Sequence, residues 1–294
     1  MARKHDHGFV AIRIEGGILP PEFLQKVAAY KAPRQTEDDY GLPKGLKLAD
    51  EIGRAWRIAQ AEWQEYRDRR QRADVSQVLV GVSRWLTRLM SDVLGYRDIQ
   101  PSAAAMLGER QYPINYRAAG GSVPIVLTTL DHELDKGNPA FGDDGRRRSP
   151  HGLVQEYLNA EADALWGIVA NGNRIRLLRD NPSLTRPAFI EVDLERMFEE
   201  GLYPDFAAMW LVFHASRLQP SNAKLTDCVL EKCRLVAQDA GERARDHLRE
   251  GVTEAIRQLG TGFLQHPTSY GLRKAISDGT LTPTGYHQQL LKLV

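Results

Sequence analysis

Cysteine is nearly absent: the 294 residues hold two, Cys228 and Cys233. Two thiols cannot staple a disulfide framework, and their spacing of five does not put them on one face of a helix, so they read as reduced core thiols. No apolar run reaches the roughly 18 residues that a membrane span needs. The leading "MARKHDHGF" is too polar for a secretion signal, and the cytoplasm is the expected compartment. Lysine is scarce beside arginine, and the formal net charge is only +1. Affinity for a polyanion must therefore come from local clusters of arginine. There is no Gly-x-Ser-x-Gly elbow, no phosphate-binding glycine loop and no Cys-His pairing. His5, His7, His151, His214 and His247 stand singly, without a second ligand at metal spacing, so no metal site is assigned.

What is present is the composition of a folded globular chain, 42% hydrophobic and 26% charged. The first 47 residues are punctuated by "GG", "PP", "AP" and "GLPKG", which are loop signals. Leu48, Ile52, Trp56, Ala59, Trp63 and Tyr66 then form a helical stripe, and Val78, Val82, Trp85, Leu86 and Leu89 form a second one between Val75 and Leu94. The period changes in "ERQYPINYRAAGGSVPIVLTT", which reads as two strands joined by "AAGG". A long loop, "DHELDKGNPAFGDDGRRRSP", follows. In "SPHGLVQEYLNA", serine followed by proline opens a short helix.

The most structured stretch is "LWGIVANGNRIRLLRD". "LWGIVA" reads as a buried strand and "NGN" as a hairpin turn. Along the next strand Ile175 and Leu177 face one way, while Arg174 and Arg176 face the other, outward. "AFIEVDL" is a further strand, Phe206, Met209, Trp210 and Phe213 mark a helix, and Leu225 to Leu259 is long, charged and helical. On that last helix Val229, Val236, Ala240, Ala244, Leu248, Val252 and Ile256 share one side. The expected class is an α/β core with helical arms: a loop and helix arm over 1–72, an α/β domain over 73–218 and a helical connector over 219–294.

The order helix, hairpin, helix, strand resembles the PD-(D/E)XK nuclease fold. Such a fold implies carboxylates on the hairpin that hold Mg²⁺, which activates water, and a lysine that helps orient the nucleophile. Here the second hairpin strand carries Val126, Leu127, Thr128 and Thr129. The nearest acids are in "DHELDK", so an active site would draw on Asp131, Glu133, Asp135 and Lys136, with Asp143 or Asp144 and, on the following helix, Gln155. "GNPAFG" has Ala140 where the Asn-Pro-Pro-Tyr/Phe motif of amino-methyltransferases has its second proline. "LGTGF" at 259–263 follows a helix and not a strand, so it reads as loop punctuation and not as a cofactor cradle.

Together "EDDYGLPKGLKLADEIGRAWRIAQAEW", "RRRSPHGLVQEYLN", "LWGIVANGNRIRLLRDNPSLTRPAFIEVDLE", "DFAAMWLVFHASRL" and "LGTGFLQHP" resemble the N-terminal region of type IIG-like (Eco57I-family) restriction–modification adenine DNA methylases, including those of DISARM-type phage-defence islands. The resemblance implies a nuclease-like, DNA-engaging module, with Gln155 and Tyr157 on the helix after the hairpin; the departure at Val126, Leu127, Thr128 and Thr129 makes it a nuclease-inactive one. It implies double-stranded DNA and a methylase domain or subunit as partners, with S-adenosylmethionine bound only by that methylase. The chain stops on an apolar run, Leu290, Leu291, Leu293 and Val294, and is expected to be an N-terminal fragment or a split gene product with that end exposed. Arg146, Arg147, Arg148, Arg174, Arg176 and Arg179 are the candidate DNA contacts, the first three just ahead of a helix N-terminus. Two alternatives stay open: an active Mg²⁺-dependent endonuclease, and a structural docking arm that touches no nucleic acid.

Overall fold

The structure is a computed structural model that describes residues 8–20, 22–72, 75–142, 147–181, 187–220 and 224–293. The chain forms two compact units, residues 1–237 and 238–294. Among the described residues no helix is long and apolar enough to cross a membrane.

The first unit is an α/β protein built on a mixed seven-stranded sheet. Its strands are β1 (Ile12–Glu15), β2 (Gln100–Pro101), β5 (Tyr116–Ala118), β6 (Val123–Leu127), β7 (Trp166–Ala170), β8 (Arg174–Arg179) and β9 (Phe189–Asp193), in the order β1-β9-β8-β7-β6-β5-β2. Among the described residues β6 and β7 pair parallel and the other neighbouring strands of this sheet pair antiparallel. The crossover between the parallel strands contains helix α4 (Pro150–Ala160), as such a connection requires. The expected hairpin of "AAGG" joins β5 to β6. "ERQY" belongs elsewhere: β4 (Arg110–Tyr112) pairs with β3 (Ala105–Leu107) in a separate two-stranded sheet.

One face of the sheet is largely apolar, with Arg179 at its margin. Ile12, Ile14, Ile125, Ile168, Ile175, Leu177, Ile190 and Val192 join a single core with α1 (Glu22–Ala28), α2 (Leu48–Arg72), α3 (Val75–Arg88) and α6 (Tyr203–Phe213). The α2 stripe is buried here at Leu48, Ile52, Ala59, Trp63 and Tyr66. The described residues of 1–72, a stretch expected to be an arm, supply an edge strand and two helices to this core. The helix expected to run to Leu94 ends as a π-turn at Leu89–Val93.

The other face is covered in part. Val126, Val169, Leu178 and Phe189 pack with Leu153, Val154, Tyr157 and Leu158 of α4 and with Tyr112, Ile114, Leu134 and Phe141. Ser149 caps α4, its Oγ accepting from the Gly152 amide at 2.9 Å, and Pro150 takes the first turn. The "NGN" turn holds Gly172 at φ +96°, where a β-carbon would lie 2.7 Å from the Tyr66 hydroxyl, so both conformation and space require glycine.

Helix α8 (Val229–Gln265) crosses from the first unit into the second, which also holds α9 (Tyr270–Ser277) and α10 (Pro283–Leu290). The expectation of one apolar side along α8 meets a mostly exposed stripe: Val236, Leu248 and Val252 are exposed and Ile256 is buried. "LGTGF" lies within α8 and is not a loop. Leu290 is buried, and its Cδ1 would be 2.8 Å from a β-carbon at Gly260; Leu291 and Leu293 are exposed. The apolar end is therefore part packed and part open, and Val294 lies outside the described residues.

Candidate functional site

Cross-strand register sets one row of residues across the covered face: Val126, Val169, Arg176, Glu191 and Arg13. The row begins apolar beneath α4 and ends charged at the β1 edge. It lies near the carboxyl ends of the two parallel strands, the region where open α/β sheets gather their ligand-binding groups.

Arg176 dominates the row. Its side chain is 1% exposed. Nε donates to Glu191 Oε2, and Nη1 and Nη2 donate to the two oxygens of Asp135 at 2.6 Å each. The guanidinium lies over the Phe189 ring, 4.2 Å from its centroid, and Arg13 lies over the same ring at 5.0 Å. Burial works against the Arg176 charge, but the bonds to Asp135 and Glu191 outweigh it and leave the pKa raised. In turn the Arg176 hydrogen bonds hold the Asp135 carboxyl below the usual aspartate range.

His151, in the first turn of α4, is the fourth member. Its Nδ1 is 3.4 Å from Arg176 Nη1, and its ring meets Phe189 edge-on at 5.5 Å. Burial, and then the neighbouring Arg176, push its pKa down to about 4. The neutral ring must accept from the guanidinium through Nδ1, so Nε2 carries the proton.

The open side of the cluster carries two half-exposed cations. Arg13 reaches Glu15 at 3.2 Å and Glu191 at 3.4 Å; Arg174 stands 3.9 Å from Glu191 and 3.8 Å from Asp193. Glu191 thus faces three guanidiniums.

The sequence places Arg174 and Arg176 outward on β8 and names Arg179 with them as a DNA contact, and the structure differs for Arg176 and Arg179. Arg176 is buried, because the second face of the sheet is roofed by α4 and by the 131–142 loop. Arg179 is mostly buried and donates from Nε and Nη2 to Glu231 at 2.8 and 2.9 Å. Only Arg174 is half open to solvent. Arg147 is exposed, and Arg146 lies outside the described residues, as do Asp143 and Asp144. Arg148 is turned inward over Tyr112, with Nε 3.2 Å from Glu156. In "DHELDK", Asp131 is exposed, Lys136 pairs with Glu133 at 2.6 Å, and Asp135 alone enters the cluster. Gln155 is buried, donating to Asn159 and to the Arg179 carbonyl. Among the described residues no group of three or more His, Cys, Asp or Glu side chains is placed to hold a metal ion. Of the described acids an endonuclease would use, Glu133 pairs with Lys136 and Asp135 with Arg176.

Glu191, Phe189, His151 and Arg13 complete the site and were not legible as site residues. A glutamate inside the apolar run "AFIEVDL" is the one signal that pointed there, since a charge in a buried strand demands a counter-charge. Comparison with family models, curated proteins and solved structures finds no match for this chain.

Proposed function

We propose that this chain is a nuclease-like module that engages double-stranded DNA without cleaving it, in the service of an adenine-methylase domain or subunit of a restriction–modification or phage-defence system. One observation carries the reading. Leaving aside the separate β3–β4 pair that lies between β2 and β5 in the chain, the order α3, β2, β5, β6, α4, β7, with a parallel β6–β7 pair spanned by α4, supports the helix–hairpin–helix–strand order of the PD-(D/E)XK resemblance, while β6 reads Val-Pro-Ile-Val-Leu and bears no carboxylate. The exposed cations Arg13, Arg147 and Arg174 supply contacts for phosphates. Their role is backbone contact, which positions a protein on a duplex without reading its sequence.

The test is duplex binding by fluorescence anisotropy as salt is raised. Replacing Arg13, Arg147 and Arg174 together by Ala should weaken unrelated duplexes alike and reduce the salt slope by up to about 0.9 per lost contact. An unchanged slope would remove these arginines from the interface, and a parent chain that binds no duplex would leave the docking-arm alternative. A plasmid-nicking assay with Mg²⁺ and Mn²⁺ addresses catalysis. Cleavage abolished by Asp135→Ala and by Glu133→Ala would revive the endonuclease alternative.

A further inference from the structure

Asp135 and Arg176 are unequal partners. The arginine is 1% exposed and the aspartate 61% exposed, yet both carboxylate oxygens lie on the two terminal nitrogens of the guanidinium. A buried guanidinium with two open donors would carry a large desolvation cost, so the fork needs an oxyanion whenever the sheet is folded. Glu191, anchored on β9, satisfies Nε and cannot leave without unfolding the strand. Asp135 sits on the surface segment between β6 and α4, which water already reaches, so its carboxylate can swing away while the core stays closed. The group it would yield to needs two oxygens a carboxylate's width apart, and the non-bridging oxygens of a phosphate meet that demand. Arg13 and Arg174, each with half its side chain in solvent, stand beside Glu191 at the same guanidinium. Behind the fork, Phe189 and the neutral His151 hold the guanidinium in place from the other sides.

We propose that the terminal fork of Arg176 is a phosphate-type oxyanion site that Asp135 occupies as an internal, displaceable ligand, so that the Asp135 side chain swings out, with Leu134 still in the core, when a phosphate group takes its place. The DNA reading above is needed only for the source of that phosphate, an internucleotide linkage. The fork itself would accept the same group from inorganic phosphate.

Removing the internal competitor should tighten binding by the factor with which it holds the site closed. A latch shut nine-tenths of the time gives about tenfold. The experiment compares the parent with Asp135→Asn, which keeps the shape and loses the charge, against a DNA duplex and against inorganic phosphate. The Arg176 Nε–H resonance, observed by ¹⁵N NMR, reports directly on the fork, and thermal melts confirm that the variant folds. The expected result is about tenfold tighter binding by the variant, with the Arg176 resonance moving on titration. A gain for both ligands supports a general phosphate site, and a gain for the duplex alone supports an internucleotide one. If the variant gains phosphate affinity while neither protein binds duplex, the DNA reading falls and the site stands. If the variant gains for neither ligand, or the Arg176 resonance stays still while binding tightens, the proposal is overturned.

Discussion

Arg176 on β8 and Glu191 on β9 are opposed in the sheet register, and both side chains are buried. An ion pair in that position is no simple gain. Removing two charges from water costs several kcal/mol, which the short contact and the added bonds to Asp135 only offset. The pair fixes specificity of packing: a sheet slipped by one residue would put Arg176 among the apolar residues of the opposite face.

Breaking the pair from one side should therefore cost far more than removing it whole. Glu191→Gln leaves the guanidinium without its buried counter-charge and is expected to destabilise the fold by about 3–5 kcal/mol. The combined change Arg176→Met with Glu191→Leu leaves no buried charge and is expected to lose much less than the sum of the single changes. Urea titration of the parent, Glu191→Gln, the single changes Arg176→Met and Glu191→Leu, and their combination gives the comparison. Strict additivity would mean that the two side chains do not act as a unit.

A second buried carboxylate makes a graded comparison. Glu231, 1% exposed near the start of α8, accepts from Arg179 on β8 and from Arg234. Burial raises its pKa, but the two arginines outweigh that and leave it lowered. Glu231→Ala frees guanidiniums that are each about one-fifth exposed and can rehydrate, so the expected loss is smaller than for Glu191→Gln, about 2–3 kcal/mol. Thermal melts of both variants check the order. An equal or larger loss for Glu231→Ala would show that rehydration does not relieve the arginines.

How much of this was legible depended on whether periodicity or charge carried the signal. The α2 stripe, the β8 alternation, the Asn-Gly turn and the Ser-Pro helix start all follow from local rules, and each is present. Alternation gave the two faces of β8 correctly but said nothing of what covers the second face, so Arg176 was placed in solvent. Its partners lie 41 and 15 residues away in sequence, on a loop and on a neighbouring strand, where no local pattern links them. Strand β1, four residues among glycines and prolines, was hidden because it is stabilised by pairing with β9 and not by its own propensity. The exposed stripe on α8 shows the converse: a regular apolar pattern does not say that a covering surface exists.

The turn after β1 gives a sharp contrast between neighbours. Gly16 and Gly17 both have positive φ, +70° and +69°, so alanine at either pays the left-handed penalty of about 1–2 kcal/mol. At Gly17 nothing lies within 4 Å of an added β-carbon, whereas at Gly16 it would meet the Pro187 carbonyl oxygen at 2.4 Å and Ala188 at 2.5 Å. Those are backbone atoms and cannot step aside. Gly16→Ala should therefore lose β1–β9 pairing beyond the common penalty, with faster hydrogen exchange at Arg13 and Glu15, whose amides face β9, while Gly17→Ala leaves those amides protected. Equal exchange in both variants would place the turn, and not the β1–β9 contact, in control.

The buried His151 predicts a pH dependence of defined sign. Its folded-state pKa is pushed down to about 4 from an ordinary 6.5. Above pH 6.5 the ring is neutral in both folded and unfolded chains and the difference has no effect. As pH falls below 6.5 the unfolded chain takes up a proton that the folded chain refuses, so stability is lost progressively down to about pH 4. Between pH 7.5 and pH 5 this amounts to about 2 kcal/mol. Asp135 acts in a different window: its lowered carboxyl favours the folded state above its ordinary 3.8 and loses that contribution only in stronger acid. His214, also pushed to about 4 by burial, contributes with the same sign as His151, so the parent alone does not isolate either residue. The His151→Gln variant does, because it keeps an acceptor for Arg176 and cannot titrate. Its urea midpoint should fall less than the parent's between pH 7.5 and pH 5, by the equivalent of about 2 kcal/mol. Parallel loss in the two proteins would mean that His151 takes its proton in the folded state, and that the guanidinium beside it is not what the ring accepts from.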